Sequence, residues 1–298
     1  MKPAKPKLRS PLKYHGGKSY LARRIVELMP DHDVYVEPFC GGCNVLLNKP
    51  KADVEIAGDA YGAVINFWQT LQRDGDNVVA IVNDVAYRRE DFDAAKAFCE
   101  NIGPDCDPLA WAAEFLVWNR MSRGGLGRDF AWSERLRGGM PGDVNAWDTM
   151  VRAMKQVRRR VEGVAFCPRD ARTLIRQYDQ PGALIYCDPP YLKETRAVRS
   201  AYAHEMSYED HMELLAALRR CRGKVMLSGY DSTLYHTALK GWRCKRWDMA
   251  NHSGQSAVKQ RRVECLWMNF DGEAEDRAHD GRDRPAHGRG QRDRVPLA

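Results

Sequence analysis

PGALIYCDPPYLKE, residues 181–194, runs a short apolar segment into Cys187 and then sets Asp188 in front of Pro189, Pro190 and Tyr191. A run of this length bounded by turn residues reads as a strand buried on both faces. The two prolines end it, because they lack backbone N–H groups, fix φ and hold the preceding residue extended. The result is an acid held rigidly at the carboxyl end of a buried strand.

Working outward, the same design recurs. DVYVEP (33–38) is a short strand ending in Glu37, followed by FCGGCNVLL, a glycine turn expected to enter a helix. VEIAGDA (54–60) ends in Asp59, and YGAVINFWQTLQ follows with helical spacing. VAFC (164–167), KVMLS (224–228), WRCKRW (242–247) and VECLWMNF (263–270) read as further strands. The last two, separated by NHSGQSAVKQ, are expected to form a hairpin at the sheet edge. Ser207 and Asp210 form a capping box for the helix between the third and fourth sheet strands after the glycine turn. The fold class expected is α/β, a Rossmann-like, mostly parallel sheet with a terminal antiparallel hairpin.

Between residues 74 and 160 the alternation stops. Helical stretches (77–87, 91–99, 108–121) surround SRGGLGRDFAWSERLRGGMPGD, a loop rich in glycine and arginine without clear periodicity. A helix then begins, with Asn145 as its expected N-cap, and ends at Arg158, Arg159 and Arg160, where cations suit the helix dipole. The expected organisation is a catalytic domain from 11–73 and 161–270, a mainly helical insertion at 74–160, and a disordered tail at 271–298 with little apolar content.

The chain has 298 residues and a formal net charge of +7. The tail holds seven acids against six arginines, so the basic excess lies in residues 1–270, which favours a polyanionic partner. No run approaches the length of a membrane span and no secretory signal opens the sequence, so the expected location is the cytoplasm. Nine cysteines, an odd number mostly within apolar runs, read as free thiols in a reducing compartment. Cys40 and Cys43 have no second pair at zinc-ligand spacing, and the histidines are scattered, so no metal is expected.

Ligands of such sheets bind beyond the carboxyl ends of the strands. Glu37, Asp59, Asp170 and Asp188 all occupy that kind of position, and Asp59 follows Gly41 by eighteen residues, close to the spacing of a ribose-binding acid in dinucleotide folds. No G-x-G-x-x-G is present, so the pattern supports an adenosine-bearing cofactor and not a nicotinamide.

Three motifs in order carry a resemblance: Lys13-Tyr14-x-Gly16-Gly17-Lys18, Glu37-Pro38-Phe39-x-Gly41-Gly42 and Asp188-Pro189-Pro190-Tyr191. With Asn119-Arg120 and Asn251-x-Ser253-Gly254, Arg261 and Glu264, they resemble the D12 class of DNA adenine N6-methyltransferases in its alpha arrangement. The resemblance spans roughly residues 11–270. It implies S-adenosyl-L-methionine as cofactor, with Tyr14 near its adenine, Lys18 near its carboxylate, Glu37, Pro38, Phe39 and Gly41 on the methionine side, Asp59 on the ribose and Asp170 near the adenine amino group. Asp170 reads equally as a helix cap.

It also implies that the Asp188 carboxylate and the Pro189 carbonyl accept the two amine hydrogens of a flipped adenine, that Pro190 stiffens the turn, and that Tyr191 stacks on the base. The partner implied is double-stranded DNA with a short recognition site. For DNA contact the candidates are Arg120, Arg123, Arg128, Arg135, Phe130 and Trp132 in the insertion, and Asn251, Ser253 and Lys259 in the final hairpin. The run Asn119-Arg120-Met121-Ser122-Arg123-Gly124-Gly125-Leu126-Gly127-Arg128 lacks the aromatic and Asn usual before Gly-Leu, so methylation of GATC does not follow. A monomer suffices for a single-base substrate, and a weak dimer stays open. The same acid and proline geometry also serves cytosine N4 and adenine in RNA, and a non-catalytic DNA-binding descendant is the third reading.

Overall fold

The computed structural model describes residues 8–14, 16–196, 204–250 and 261–271. Asn251, Ser253, Lys259 and most of the expected disordered tail lie outside them.

In chain order, the short helix α1 (Ala22–Val26) precedes strands β1 (Val34–Glu37) and β2 (Val54–Gly58). Helices α2 (Gly62–Asn83), α3 (Arg89–Glu100) and α4 (Pro108–Met121) follow, then a small hairpin of β3 (Leu136–Arg137) and β4 (Met140–Pro141), and α5 (Gly142–Val161). The chain returns to the sheet with β5 (Ala165–Cys167), α6 (Ala171–Tyr178), β6 (Ala183–Cys187), α7 (Tyr208–Leu218), β7 (Lys224–Tyr230) and α8 (Thr233–Ala238). It ends on β8 (Arg243–Ala250) and β9 (Arg261–Met268).

The main sheet has seven strands in the order β5-β2-β1-β6-β7-β9-β8. The first five are parallel, and β9 pairs antiparallel with both β7 and β8. The strand order reverses between β1 and β6, so the crevice for a ligand opens beyond their carboxyl ends. All residues of β1 and β6 are buried, because alternate side chains enter different cores. Tyr35, Ala57, Leu184 and Tyr186 pack with Trp68 of α2, Leu116 of α4 and Met154 of α5. Val36, Ile56, Ile185 and Val225 pack with Leu174 of α6 and Leu215 of α7.

Several local expectations change. The helix expected after the glycine turn is only a 3-10 turn at Leu46–Asn48. α2 is two helical segments joined at a kink, where Asp74 leaves helical geometry (φ −135°, ψ 37°). Asn145 is not the N-cap of α5, which starts three residues earlier after Pro141. The loop without periodicity contains the β3–β4 hairpin, turned at Gly138 and Gly139. The capping box at Ser207 and Asp210 is present, with both reciprocal bonds formed.

The helical segment between β2 and β5 is fastened at two points. Arg160 bonds Glu55 through Nη1 (2.7 Å) and Nη2 (2.9 Å), and Lys49 Nζ lies 2.7 Å from the same carboxylate, tying the end of α5 to β2. The backbone of Lys13 donates to and accepts from the Asn119 side chain (2.8 and 2.9 Å), as a neighbouring strand would, and joins the amino-terminal motif to α4. Gly125 lies so close to this segment that a Cβ there would sit 2.1 Å from the Lys13 carbonyl oxygen. No helix among the described residues is long and apolar enough to cross a membrane.

His211 is fully buried on α7, its Nδ1 2.9 Å from the Tyr235 hydroxyl and its Nε2 without a hydrogen-bond partner. Burial pushes its pKa down to about 4, with Asp210 opposing and Arg196 adding to the effect. Between that value and the unfolded histidine near 6.5 the unfolded chain binds more protons, so stability is present at neutral pH and drains away as pH falls through this window. His211→Gln is expected to remove a pH dependence of about 2–3 kcal/mol over that window. Urea midpoints of the two proteins from pH 7 to pH 4 check this; parallel curves would contradict it.

Candidate active site

The glycine turn after β1 is held from three sides. Gly41 takes φ +42°, and a Cβ there would lie 3.0 Å from the Tyr14 ring. Its N–H donates to Asp59 Oδ2 (2.9 Å), and its carbonyl accepts from Trp68 Nε1 (2.9 Å). Asp59 Oδ1 accepts from the Tyr61 N–H at 2.9 Å. The acid at the end of β2 therefore organises both the turn and the start of α2 before any ligand is considered.

Glu37 is 2% exposed and has no ion-pair partner among the described residues. Its Oε2 accepts from the Tyr35 hydroxyl (2.7 Å) and the Leu46 N–H (3.1 Å). Burial pushes its pKa up to about 8 against those hydrogen bonds, so the carboxyl is mostly protonated at neutral pH. Burial also raises Asp59, against the same kind of backbone bonds.

Tyr14, Lys18, Glu37, Pro38, Phe39, Gly41, Asp59, Asp170, Asp188 and Pro190 line one cavity of about 230 Å³ beyond the carboxyl ends of β1, β2, β5 and β6. Every residue expected at the cofactor thus lies on one wall or another of a single space. Asp170 does both things read for it: it faces the cavity and caps α6, accepting from the N–H groups of Arg172 (3.0 Å) and Thr173 (3.3 Å). Tyr61, Arg172, Tyr186 and His204 line the same cavity and had drawn no attention in the sequence. Tyr61 could have been found, being two residues beyond Asp59 at the mouth of a strand.

The catalytic motif is enclosed. Lys18, 4% exposed, sets its ammonium 2.9 Å from Asp188 Oδ2 and 2.7 Å from Oδ1, with the Gly16 carbonyl at 2.9 Å and Glu264 at 3.5 Å. Burial pushes the lysine pKa down, but Asp188 and Glu264 outweigh it and hold the ammonium well above its usual range. Burial raises Asp188, and Lys18 pulls the other way.

Tyr191 is 5% exposed. Its hydroxyl donates to Glu264, Lys18 Nζ lies 4.7 Å from its ring centroid, and the Tyr230 ring meets it edge-on at 4.6 Å. The tyrosine expected to stack on a base is packed among protein groups, and the lysine expected beside the cofactor's carboxylate is paired with Asp188. The physical reason is common to both: a buried ammonium takes the nearest carboxylate, and a buried phenol takes the nearest acceptor. Cys187 is fully buried, as a core residue, and Cys40 and Cys43 are buried free thiols.

In the insertion, Arg123, Arg128 and Arg135 are exposed, and Trp132 is 49% exposed. Arg120 is half-buried, reaching the Ala146 carbonyl at 3.4 Å. Phe130 is not a free wedge: it packs on Tyr87 and Phe92 and stacks under Trp132. Among the described residues no three of His, Cys, Asp and Glu gather as a metal site requires.

The family described as D12 class N6 adenine-specific DNA methyltransferase matches residues 14–120 and 151–251. The chain belongs to this family. The unmatched stretch between the two blocks, 121–150, carries every exposed arginine named above. A DNA N-6-adenine-methyltransferase of Escherichia phage P1 is 26% identical over 256 residues, 79% of this D12-class chain and 32% of that protein, so the chain spans about a third of the phage protein's length. The DNA adenine methylase of Serratia marcescens is 25% identical over 274 residues, covering 85% of this chain and 97% of that one. That of Escherichia coli (strain K12) is 24% identical over 76% of this chain and 83% of its own. Among solved structures, the rRNA methyltransferase aviRa from Streptomyces viridochromogenes covers 83% of this methyltransferase chain and 82% of its own at 10% identity and a TM-score of 0.32, a likeness too loose to argue from.

Proposed function

We propose that this chain transfers a methyl group from S-adenosyl-L-methionine to N6 of a flipped adenine in double-stranded DNA. The observation that carries the reading is the convergence of Asp188 and Pro190 with Glu37, Gly41 and Asp59 on one cavity at the reversal of strand order. The donor set fits the cofactor. Tyr14 and Phe39 offer flat apolar surface, and Gly41 permits close approach of the backbone. When bound, that cofactor supplies an activated methyl on a sulfonium.

The protein's part is orientation. An exocyclic amine is a poor nucleophile because its lone pair is delocalised into the ring. Asp188 and the Pro189 carbonyl, accepting its two hydrogens, would draw the nitrogen toward tetrahedral geometry and stabilise the positive charge that develops. Asp188 suits this, because a carboxylate has lone pairs beyond those the Lys18 ammonium engages. Pro189 and Pro190 keep the carbonyl from relaxing into a ladder or helix. Asp188 acts as an acceptor and not as a base strong enough to ionise a neutral amine.

Recognition is assigned to the 74–160 insertion and transfer to 11–73 with 161–270, acting as a monomer. The exposed Arg123, Arg128 and Arg135 and the exposed face of Trp132 support that division. Arg123→Ala is expected to reduce discrimination between DNA sites by about 1–3 kcal/mol with cofactor binding unchanged. Binding measured on several duplexes decides it: uniform weakening would mean that Arg123 touches only phosphate.

The experiment for the reaction itself is transfer of labelled methyl from S-adenosylmethionine to unmethylated genomic DNA, followed by nucleoside analysis. N6-methyladenine at a repeated short site is expected. N4-methylcytosine, or incorporation into RNA alone, would overturn the assignment.

A further inference from the structure

We propose that Glu264 is a positioning residue for the transfer: it receives the Lys18 ammonium when the amine of the target base takes up Asp188. The inference rests on the reading of Asp188 as the acceptor of that amine.

The argument begins with the crowding at Asp188. Its Oδ2 accepts from Lys18 at 2.9 Å, and Nζ also lies 2.7 Å from Oδ1. Oδ1 is the oxygen an incoming N–H can use, yet the ammonium stands beside it. An amine that approaches Oδ1 competes with the ammonium for it, so Lys18 is expected to move toward its other acidic neighbour as the base enters. It cannot slide into water, being 4% exposed, and a buried ammonium without a carboxylate is strongly disfavoured.

Among the described residues only one other carboxylate lies within ion-pair reach of Nζ, and that is Glu264 at 3.5 Å. A shift of under about 1 Å brings the pair to normal charge-assisted distance. Glu264 is itself fixed: it is 5% exposed on β9, paired across from Tyr230, and accepts the Tyr191 hydroxyl. The other titratable groups around the cluster are Tyr20, Tyr186, Tyr191 and Tyr230, with Glu37 across the cavity. None of these offers Lys18 an ionised carboxylate within ion-pair distance.

An acid set in the middle of the apolar strand VECLWM is therefore explained as the second seat of a two-position lysine. Lys18 opposes the effect of burial on Asp188 before the base arrives and remains paired after it.

The test uses the full-length protein, unmethylated genomic DNA and saturating S-adenosylmethionine. Glu264→Gln keeps the shape and the tyrosine's acceptor but removes the second seat. The apparent KM for DNA is expected to rise at least about tenfold, and the acid limb of kcat/KM to move about one pH unit lower because Lys18 now serves Asp188 alone. Cofactor affinity, measured by calorimetry, should not change and reports that the fold is intact. Glu264→Asp, which keeps a carboxylate on β9, is expected to keep the acid limb at its wild-type position.

A structural role for Glu264 predicts something different: kcat lowered at all pH values with the acid limb unmoved. That result would overturn the proposal. Tyr191→Phe, which removes only the hydrogen bond, should leave the acid limb within a few tenths of a unit of wild type; a full shift there would also overturn it. If Asp188→Asn retained wild-type transfer, the underlying reading would fall too, whereas an inactive Asp188→Asn with a structural Glu264→Gln sinks the inference alone.

Discussion

Asp188→Asn is expected to slow methyl transfer by about 10²–10³-fold with saturating cofactor, the cost of removing one preorganised electrostatic contact to developing charge. The substitution keeps size and leaves an amide oxygen, so the loss measures charge and orientation and not volume. It also strips the Lys18 ammonium of its close partner, leaving Glu264 at 3.5 Å as the remaining carboxylate. Breaking a buried pair costs up to about 3–5 kcal/mol, reduced here because 18% of the Asp188 side chain is exposed. A lower melting temperature is therefore expected alongside the lost rate. Single-turnover incorporation of labelled methyl, measured well below the new melting point, separates the two effects. A rate within about threefold of wild type would remove Asp188 from the mechanism, since an orienting contact of this kind carries several kcal/mol.

The second large effect is expected far from the reacting atoms. Trp68 is fully buried, stacks on Phe166 at 5.7 Å with the rings 5° apart, and donates to the Gly41 carbonyl. Trp68→Ala should cost about 3–5 kcal/mol through the cavity alone, a large part of a domain's total stability. Trp68→Phe keeps much of the packing but withdraws the donor from the glycine turn. Its melting temperature should fall far less, while its affinity for S-adenosylmethionine drops, because the turn that carries Gly41 loses one of its three restraints. Equal losses of stability and affinity in the two variants would show that the bond to Gly41 does not matter to the turn.

Much of this was legible from local pattern. Strands that end in Glu37, Asp59 and Asp188 announce themselves by short apolar runs meeting an acid and a turn, and they set the cavity where the strand order reverses. What escaped depends on partners distant in the chain. Lys18 meets Asp188 across 170 residues, and nothing in KYHGGK says that its ammonium will be buried against that acid. Phe130 looks like an exposed aromatic in a polar loop until Tyr87 and Phe92, from elsewhere in the insertion, close around it. The β3–β4 hairpin escaped because its two-residue strands are too short to show an alternation and Leu136 is exposed. Glu264 entered the sequence reading only as part of the family pattern, with no role given; a single acid within the apolar run VECLWM is costly to bury and so has a reason to be there.

The place of β9 has a further consequence, for the timing of activity during synthesis. β9 lies inside the sheet, between β7 and β8, although it is the last strand of the main sheet in chain order. It carries Glu264 to the lysine contributed by the first twenty residues. Until β9 has been synthesised, β8 has no partner in the sheet and the charge cluster around Asp188 lacks Glu264. The last strand of the sheet therefore sets when the cluster is complete, and a product truncated before β9 lacks it.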